Sequence, residues 1–145
     1  MVIRKINKEL LDKKPYEAWN AFIDLIAMEE YKDLNQTQRT AHLCFWYDTE
    51  VQNGGHLQYF ENKGIEKMDE TIDALKVIGA AKQANILNQA SATYSSKNRK
   101  KLNDIFAFVN EARCGEFEEY DNEYYNSEPT VTDLLGEYFE IYSVN

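Results

Sequence analysis

The sequence predicts an all-α protein, folded as a single compact multi-helix domain of six to eight helices. Apolar residues recur at i, i+3 and i+4 in successive segments, which is the period of amphipathic helices. No segment alternates with a period of two over a convincing length, and the 145 residues contain only two prolines. A chain of this length can bury a core of its own. We therefore interpret residues 1–145 as one all-helical domain.

The first helix is predicted over residues 15–32. Residues 1–14 mix lysines with isoleucines and leucines and are expected to form a loosely tied N-terminal arm. Pro15 then suits the first position of a helix, where its missing N–H is not needed. The inward side chains expected for this helix are Trp19, Phe22, Ile23, Ile26 and Ala27.

A second helix is expected to begin after a cap at Asn35 or Thr37 and to end at Asn53-Gly54. Glycine tolerates a positive φ without steric cost, so we expect Gly54 to adopt one and to close this helix. A short third helix follows over 55–62. The inward residues expected for these two helices are Thr40, Leu43, Cys44, Phe45, Trp46, Tyr47, Val51, Leu57 and Phe60.

The second half of the chain predicts a helix over 66–79, another ending near Tyr94, and one starting near residue 100 that can break at Gly115. The last helix follows Glu128-Pro129 and is capped by Thr130 or Thr132, because the residue before proline disfavours helical geometry. The inward residues expected in this half are Ile65, Met68, Ile72, Leu75, Ile78, Ala84, Leu87, Ala90, Leu102, Ile105, Phe106, Val109, Ala112, Phe117, Tyr120, Tyr124, Val131, Leu134, Leu135, Tyr138, Phe139 and Tyr142.

The net charge of -9 is concentrated near the C-terminus. Residues 1–110 hold 15 Lys or Arg and 15 Asp or Glu, whereas residues 111–145 hold one Arg and ten Asp or Glu. Residues 111–145 therefore form an acidic helical segment that carries all of the net charge. This asymmetry argues against direct binding to nucleic acid or to an anionic membrane. It favours either a basic protein partner or simple solubility.

Eight acidic residues in this segment are candidate partner-binding residues. Asp133, Glu137 and Glu140 follow one face of the last helix, opposite its apolar stripe. At ~1.5 Å rise per residue they are ~6 Å and ~4.5 Å apart along the axis, similar to the spacing of phosphates along one DNA strand. The row could be extended, if the segments lie side by side, by Glu116, Glu118, Glu119, Asp121 and Glu123. The alternative is a solvated acidic face with tyrosines packed beneath it.

A catalytic interpretation has little support in the sequence. His42 and His56 are the two histidines, and neither has the spacing of a metal site, so we expect both to be partly buried or on the surface. The pair Glu50 and His56, on either side of the glycines, is the one candidate for hydrolase-like acid–base chemistry. No phosphate loop or dinucleotide motif is present, and no cofactor is expected. The protein is therefore expected not to be an enzyme.

The cysteines and the hydropathy indicate the compartment. Cys44 and Cys114 lie far apart without a CxxC partner, which favours buried, reduced thiols. No apolar run reaches the ~18 residues of a membrane span. Residues 1–14 are charged and lack the apolar region of a secretory signal. The cytoplasm is therefore the expected location, with no membrane as partner.

The segment Glu50–Asn62, with its Asn-Gly-Gly-x-x-x-x-Phe pattern, resembles the signature of a bacterial family of domains of unknown function that is typified by a small acidic DNA-mimic protein. Two further blocks are similar to that family: Ala74–Ala80, with Ala84 and Leu87 after it, and the acidic tyrosine-rich segment Phe117–Tyr125 with Leu134–Tyr142. The resemblance spans about residues 15–142.

The resemblance implies an all-helical fold, no known catalytic activity and, in the typical member, an acidic surface that occupies the DNA-binding face of a helix-turn-helix regulator. It implies an architectural role for Asn53, Gly54, Gly55, Phe60 and Asn62. An immunity-type protein that binds a toxin is an alternative with the same physical basis. The sequence does not separate these two partners and does not give the oligomeric state.

Overall fold

The computed structural model describes residues 15–143, with side chains over residues 16–139. This part of the chain contains seven α-helices and no strand, which confirms the predicted all-α class. The helices are α1 (Pro15–Met28), α2 (Gln36–Lys63), α3 (Met68–Val77), α4 (Ala81–Ser95), α5 (Ile105–Arg113), α6 (Glu118–Tyr125) and α7 (Val131–Ser143). A short 3-10 helix (Tyr31–Asp33) lies between α1 and α2.

Helix α2 is the centre of the fold and packs against α1, α3, α6 and α7. It begins with a capping box, in which the Asn35 side chain accepts a hydrogen bond from Gln38 N and the Gln38 side chain accepts one from Asn35 N, both at 2.9 Å. Of the two predicted caps, the structure therefore selects Asn35. Of the two caps predicted for α7, Thr130 and Thr132, it is the Thr130 hydroxyl that accepts a hydrogen bond from Asp133 N.

The second and third predicted helices form one span, α2, that is kinked at the two glycines. Gly54 has φ -155° and ψ 17°, whereas Gly55 has φ 79° and ψ -176°. The prediction of a positive φ at Gly54 is therefore wrong, since it is Gly55 that adopts it. Two adjacent glycines offer the same freedom, and the packing of α6 against the kink decides which of them uses it.

The apolar stripes of α1, α2, α3, α4 and α7 form one contiguous core, as predicted. The largest fully buried side chains include Tyr47, Phe60, Ile26, Leu75 and Leu87. The acidic tyrosine-rich segment also contributes, because Phe117 and Tyr124 are buried. Tyr142 and residues 1–14 lie outside the described side chains, so the predictions made for them are left as predictions.

The predicted inward face of α5 is wrong. Ile105 and Phe106 are 68% and 78% exposed, Val109 is 37% exposed, and Ala112 is also exposed. The helix instead turns Phe108 towards the core, where it is half-buried. A helical stripe shows that residues share a face, but the neighbours decide which face they cover. Ile65, predicted inward, is likewise exposed.

Candidate functional site

The kink in α2 is the place where α6 comes closest to the central helix. A Cβ placed on Gly55 would lie 2.4 Å from Asp121 Oδ2, far inside van der Waals contact. Only glycine fits this position, because it combines a positive φ with no side chain. Gly55 therefore allows the Asp121 carboxylate of α6 to reach the backbone of α2.

Asp121 binds His56, the residue after that glycine. Its Oδ1 atom accepts hydrogen bonds from His56 N at 2.8 Å and from His56 Nδ1 at 2.6 Å. With Nδ1 donating to Asp121, His56 Nε2 accepts the hydrogen bond of the Tyr47 hydroxyl at 2.7 Å. His56 is completely buried, so the expectation of a surface or partly buried ring is wrong for this residue. These hydrogen bonds join α6 to α2.

Glu50 belongs to a different network, which spans the kink. Its carboxylate is buried and accepts hydrogen bonds from Gln58 Nε2 at 3.0 Å and Asn62 Nδ2 at 2.8 Å. Two amide donors satisfy a buried carboxylate without a cation. The structure therefore does not pair Glu50 with His56, and the hydrolase-like arrangement suggested by the sequence is absent from the described residues.

The other residues of the Asn-Gly-Gly block lie in ordinary structural surroundings. Phe60 is buried and stacks on Tyr94 at a centroid distance of 4.6 Å. Asn62 is exposed but donates to Glu50, and Asn53 is exposed. His42, the second histidine, is half-buried and donates Nδ1–H to the Ile26 carbonyl, and burial lowers its pKa. Within residues 16–139 no group of three or more His, Cys, Asp or Glu side chains could hold a metal ion.

Both cysteines are free, as predicted, but only Cys44 is buried. Cys114 is exposed at the C-terminal end of α5, where its thiol lies 3.6 Å from the Asn110 carbonyl. The expectation that both thiols are buried is therefore wrong for Cys114. The reason is the same as for the apolar face of α5: this end of the helix faces outwards.

Two of the candidate acidic residues have internal partners. Glu116 is half-buried and forms ion pairs with Lys97 and Arg99. Burial alone would raise the pKa of its carboxyl, but the hydrogen bonds and charges of Lys97 and Arg99 lower it overall. Asp121, described above, is also half-buried. The charges of these two residues are therefore largely satisfied within the chain.

Three other carboxylates of the acidic segment share one face of α6. Glu118, Glu119 and Glu123 are exposed and line an open groove of about 830 Å³ between α6 and α4. The wall contributed by α4 includes Lys82 and Asn85. The Lys82 ammonium group donates to the Glu128 carbonyl at 3.1 Å. The groove thus has an excess of negative charge on the side of α6.

The groove also contains polar residues that the sequence did not single out. Asn122 and Asn126 line it beside the three carboxylates. Their spacing could have identified them, because Asn122 follows Glu118 by four residues and Asn126 follows Glu123 by three. Charge alone does not identify these neutral side chains of the same helix face.

The acidic row on α7 is separate from the groove. Asp133 and Glu137 are exposed on the side opposite the buried Leu134 and Leu135, as predicted, while the Glu140 side chain lies outside the described residues. Helix α6 packs against α2 and α4, whereas α7 packs against α1 and α2. A single row formed by the acidic residues of α6 and α7 therefore stays a prediction.

None of the helices in the described residues combines the length and the apolar character that a membrane span requires. Comparison with curated proteins finds no match, and comparison with solved structures finds none either. The model of one protein family, described as DMP19-like protein, matches residues 32–142, which include α2 with its glycine kink and the acidic helix α6. This match covers most of the chain and agrees with the resemblance seen in the sequence: the protein belongs to the DMP19-like family.

Proposed function

We propose that this protein is a non-enzymatic, acidic binding protein that occupies the basic DNA-binding face of another protein, such as a helix-turn-helix regulator. Membership of the DMP19-like family supports a DNA-mimic type of function. The observation that carries the proposal is the exposed row Glu118, Glu119 and Glu123 along the α6 groove. Its charges remain open to a partner, while neighbouring Glu116 and Asp121 are satisfied internally.

The physical basis is electrostatic complementarity. Carboxylates four residues apart on one helix, such as Glu119 and Glu123, repel one another slightly, and Lys or Arg side chains from a partner relieve that repulsion. Exposed charges of this kind accelerate encounter and select a positively charged partner, more than they supply affinity by themselves. Asp133 and Glu137 on α7 form a second acidic face that a larger basic partner contacts as well. Binding therefore weakens steeply with salt.

In this proposal the protein acts by occupying the DNA-binding face of its partner, and it catalyses no reaction. His56 is sealed in the interior by Tyr47 and Asp121, and Glu50 is held by two amides. Both groups therefore serve the structure. His56 fixes the position of α6, and with it the acidic groove, relative to the core, whereas Glu50 joins the two halves of α2 across the kink.

The test compares two sets of three neutralised carboxylates. One variant carries Glu118→Gln, Glu119→Gln and Glu123→Gln on α6. The matched control carries Asp69→Asn, Glu70→Gln and Asp73→Asn on α3, which are also exposed, with two in the first turn. The two variants have the same net charge. Immobilised wild-type and variant proteins are used to capture partners from the source cell, and affinity for each captured protein is measured over a range of salt concentrations.

We expect the α6 variant to lose about tenfold or more in affinity, with a shallower salt dependence, and the α3 control to keep both. The captured protein should bind DNA, and wild-type protein should displace that DNA in a mobility-shift assay. Equal behaviour of the two variants would show that the α6 row is only a solvated face. A captured toxin that binds no DNA would contradict mimicry and favour the immunity-type alternative.

A further inference from the structure

A second cavity, of about 420 Å³, lies between α2, α5 and the segment 96–104 that connects α4 to α5. It shares no lining residue with the groove along α6. Its apolar lining is aliphatic, because it consists of the buried Leu57 and the half-buried Leu102 and Ala107. The volume falls within the range of roughly 300–1,000 Å³ that is typical of small-molecule sites.

The charged groups of this cavity are separated by sign. The segment that connects α4 to α5 contributes Lys97, Arg99 and Lys100, whereas Glu61 comes from α2 and Glu111 from α5. Neither Lys100 nor Glu111 forms an ion pair within residues 16–139. Glu61 accepts two long hydrogen bonds, both of 3.4 Å, and a carboxylate has capacity for more. The cavity therefore has one cationic wall and two carboxylates on the other elements.

Arg99 is the most rigidly held of these charged side chains. Only 11% of it is exposed, and its guanidinium lies over the rings of Tyr94 and Phe117 at 4.6 Å and 5.3 Å from their centroids. Nε donates to the Tyr94 carbonyl at 2.8 Å, and Nη2 donates to the Thr93 carbonyl at 3.3 Å and to the Glu116 carboxylate. These contacts fix the guanidinium in one orientation.

The third nitrogen of this guanidinium, Nη1, is left for another acceptor. A guanidinium has five N–H donors, and the hydrogen bonds of Arg99 with the described part of the chain use only Nε and Nη2. That part of the chain contains no buried side-chain nitrogen or oxygen without a partner, so Nη1 is accessible from outside. A donor that is already fixed loses little conformational entropy when it binds a carboxylate.

We propose that this cavity binds a small zwitterion with an aliphatic body, which is the chemistry of a free amino acid such as leucine. The carboxylate lies against Arg99 Nη1 and Lys100, and the ammonium group lies against Glu61 and Glu111. The aliphatic side chain covers Leu57. A simple anion would face the two carboxylates, and a simple cation would face the basic wall, whereas a zwitterion satisfies both. The proposal does not depend on the proposed function.

The first experiment is an NMR chemical-shift titration of the ¹⁵N-labelled full chain with three probes of similar shape. L-Leucine carries both charges, 4-methylpentanoate lacks the ammonium group, and 3-methylbutylamine lacks the carboxylate. We expect saturable binding of leucine in the millimolar range, with shifts concentrated in residues 96–104 and in α5. Each of the other probes should bind about tenfold more weakly or less, because it leaves one set of charges in the cavity unpaired.

The second experiment removes one charge at a time from the cavity and leaves Arg99 in place, because Arg99 also holds the connecting segment. Lys100→Gln should weaken leucine binding by about tenfold and narrow the preference for leucine over 3-methylbutylamine. Glu111→Gln should weaken it similarly and narrow the preference over 4-methylpentanoate. The matched controls are Lys101→Gln and Glu66→Gln, which change exposed residues outside the cavity lining and should bind like the wild type.

Three outcomes overturn the proposal. Absence of saturable shifts with leucine at tens of millimolar shows that the cavity does not take an amino acid. Binding of 4-methylpentanoate as tight as that of leucine shows a general anion site. Equal losses in Lys100→Gln and Lys101→Gln show that surface charge, and not the cavity, attracts the probe. Circular dichroism of each variant separates these outcomes from loss of the fold.

Discussion

At the scale of single residues, Gly55 determines how closely α6 approaches the central helix. Its backbone lies in a region with positive φ and extended ψ that is almost confined to glycine. Its missing side chain leaves space for Asp121, which binds both the backbone and the ring of His56. Gly55 thus bends α2 and leaves the space that Asp121 needs to reach His56.

We expect Gly55→Ala to destabilise the protein by more than Gly64→Ala. Gly64 is a matched control, because it has nearly the same backbone angles (φ 70°, ψ -166°) and open space where a Cβ would be. Both variants incur backbone strain of about 1–3 kcal/mol. Only Gly55→Ala also displaces Asp121 and leaves polar atoms of His56 unsatisfied, which costs a further ~1–3 kcal/mol.

The measurement is the free energy of unfolding in urea for both variants beside the wild type. Equal losses would show that the contact between Asp121 and His56 contributes nothing, and that backbone strain alone explains the glycine. A further check is proton NMR of the His56 ring, whose environment should change in Gly55→Ala and stay the same in Gly64→Ala.

At the scale of helices, α2 depends on a well-defined start. The capping box of Asn35 and Gln38 satisfies two of the backbone N–H groups at this end, and Arg39 adds hydrogen bonds to the Tyr31 and Lys32 carbonyls. Both contacts fix the angle between α2 and the preceding 3-10 helix. The position of α1, which packs on α2 and α7, follows from that angle.

We expect Asn35→Ala to lower the free energy of unfolding by about 1 kcal/mol, since it removes the cap oxygen that accepts the hydrogen bond of Gln38 N. Thr37→Ala is the control, because Thr37 was the competing cap candidate and it contributes its backbone carbonyl to the contact with Tyr138. That variant should change stability by only a few tenths of a kcal/mol. A larger effect at Thr37 than at Asn35 would contradict the cap assignment.

The helices also show where an amphipathic pattern predicts the buried face of a helix correctly. The stripe of α7 predicted its buried side correctly, because Val131, Leu134 and Leu135 have no competing apolar face on the same helix. Helix α5 has apolar residues on both sides, and the stripe with more of them faces solvent. Amphipathic patterns thus predict the inward face only where one face is clearly polar.

At the scale of the whole molecule, buried tyrosines join α2 to α6. Tyr47 contacts both Tyr59 and Tyr124 edge-on, at centroid distances of 4.9 Å and 5.3 Å. The Tyr124 hydroxyl donates to Asp48. Burial raises the pKa of all three phenols, to about 12 for Tyr59. Folding therefore holds these groups in their neutral form.

We expect stability to fall as the pH rises from about 10 towards 12. In the unfolded chain Tyr59 ionises near its usual value of 10.0, whereas in the folded chain it does so near 12. Its contribution is complete below pH 10 and is lost progressively as the pH approaches the folded value, to a maximum of about 3 kcal/mol. Tyr47 and Tyr124 act in the same direction.

Urea unfolding at stepped pH values, with tyrosinate absorbance recorded in parallel, measures this effect. Tyr59→Phe keeps the ring and removes the ionisable hydroxyl, so its stability should fall less steeply with pH than that of the wild type. Ionisation of the buried tyrosines near pH 10 with the fold intact would contradict the assignment.

The sequence by itself determined the class of fold, the order of the helices and the position of the break at the two glycines. These follow from local rules: the period of apolar residues, capping residues and the conformational freedom of glycine. It also located the excess of acidic residues in 111–145, since charge can be counted without a structure.

Only the tertiary structure decided which carboxylates of the acidic segment are bound within the chain and which are open to solvent. Asp121 and Glu116 turned out to be bound to His56, Lys97 and Arg99, whereas Glu118, Glu119 and Glu123 remain open along the groove. The same holds for the outward face of α5 and for His56, which a sequence cannot distinguish from a surface histidine. The physical reason is that these partners lie 17 to 65 residues away along the chain, so packing of distant helices, and not local pattern, brings them together.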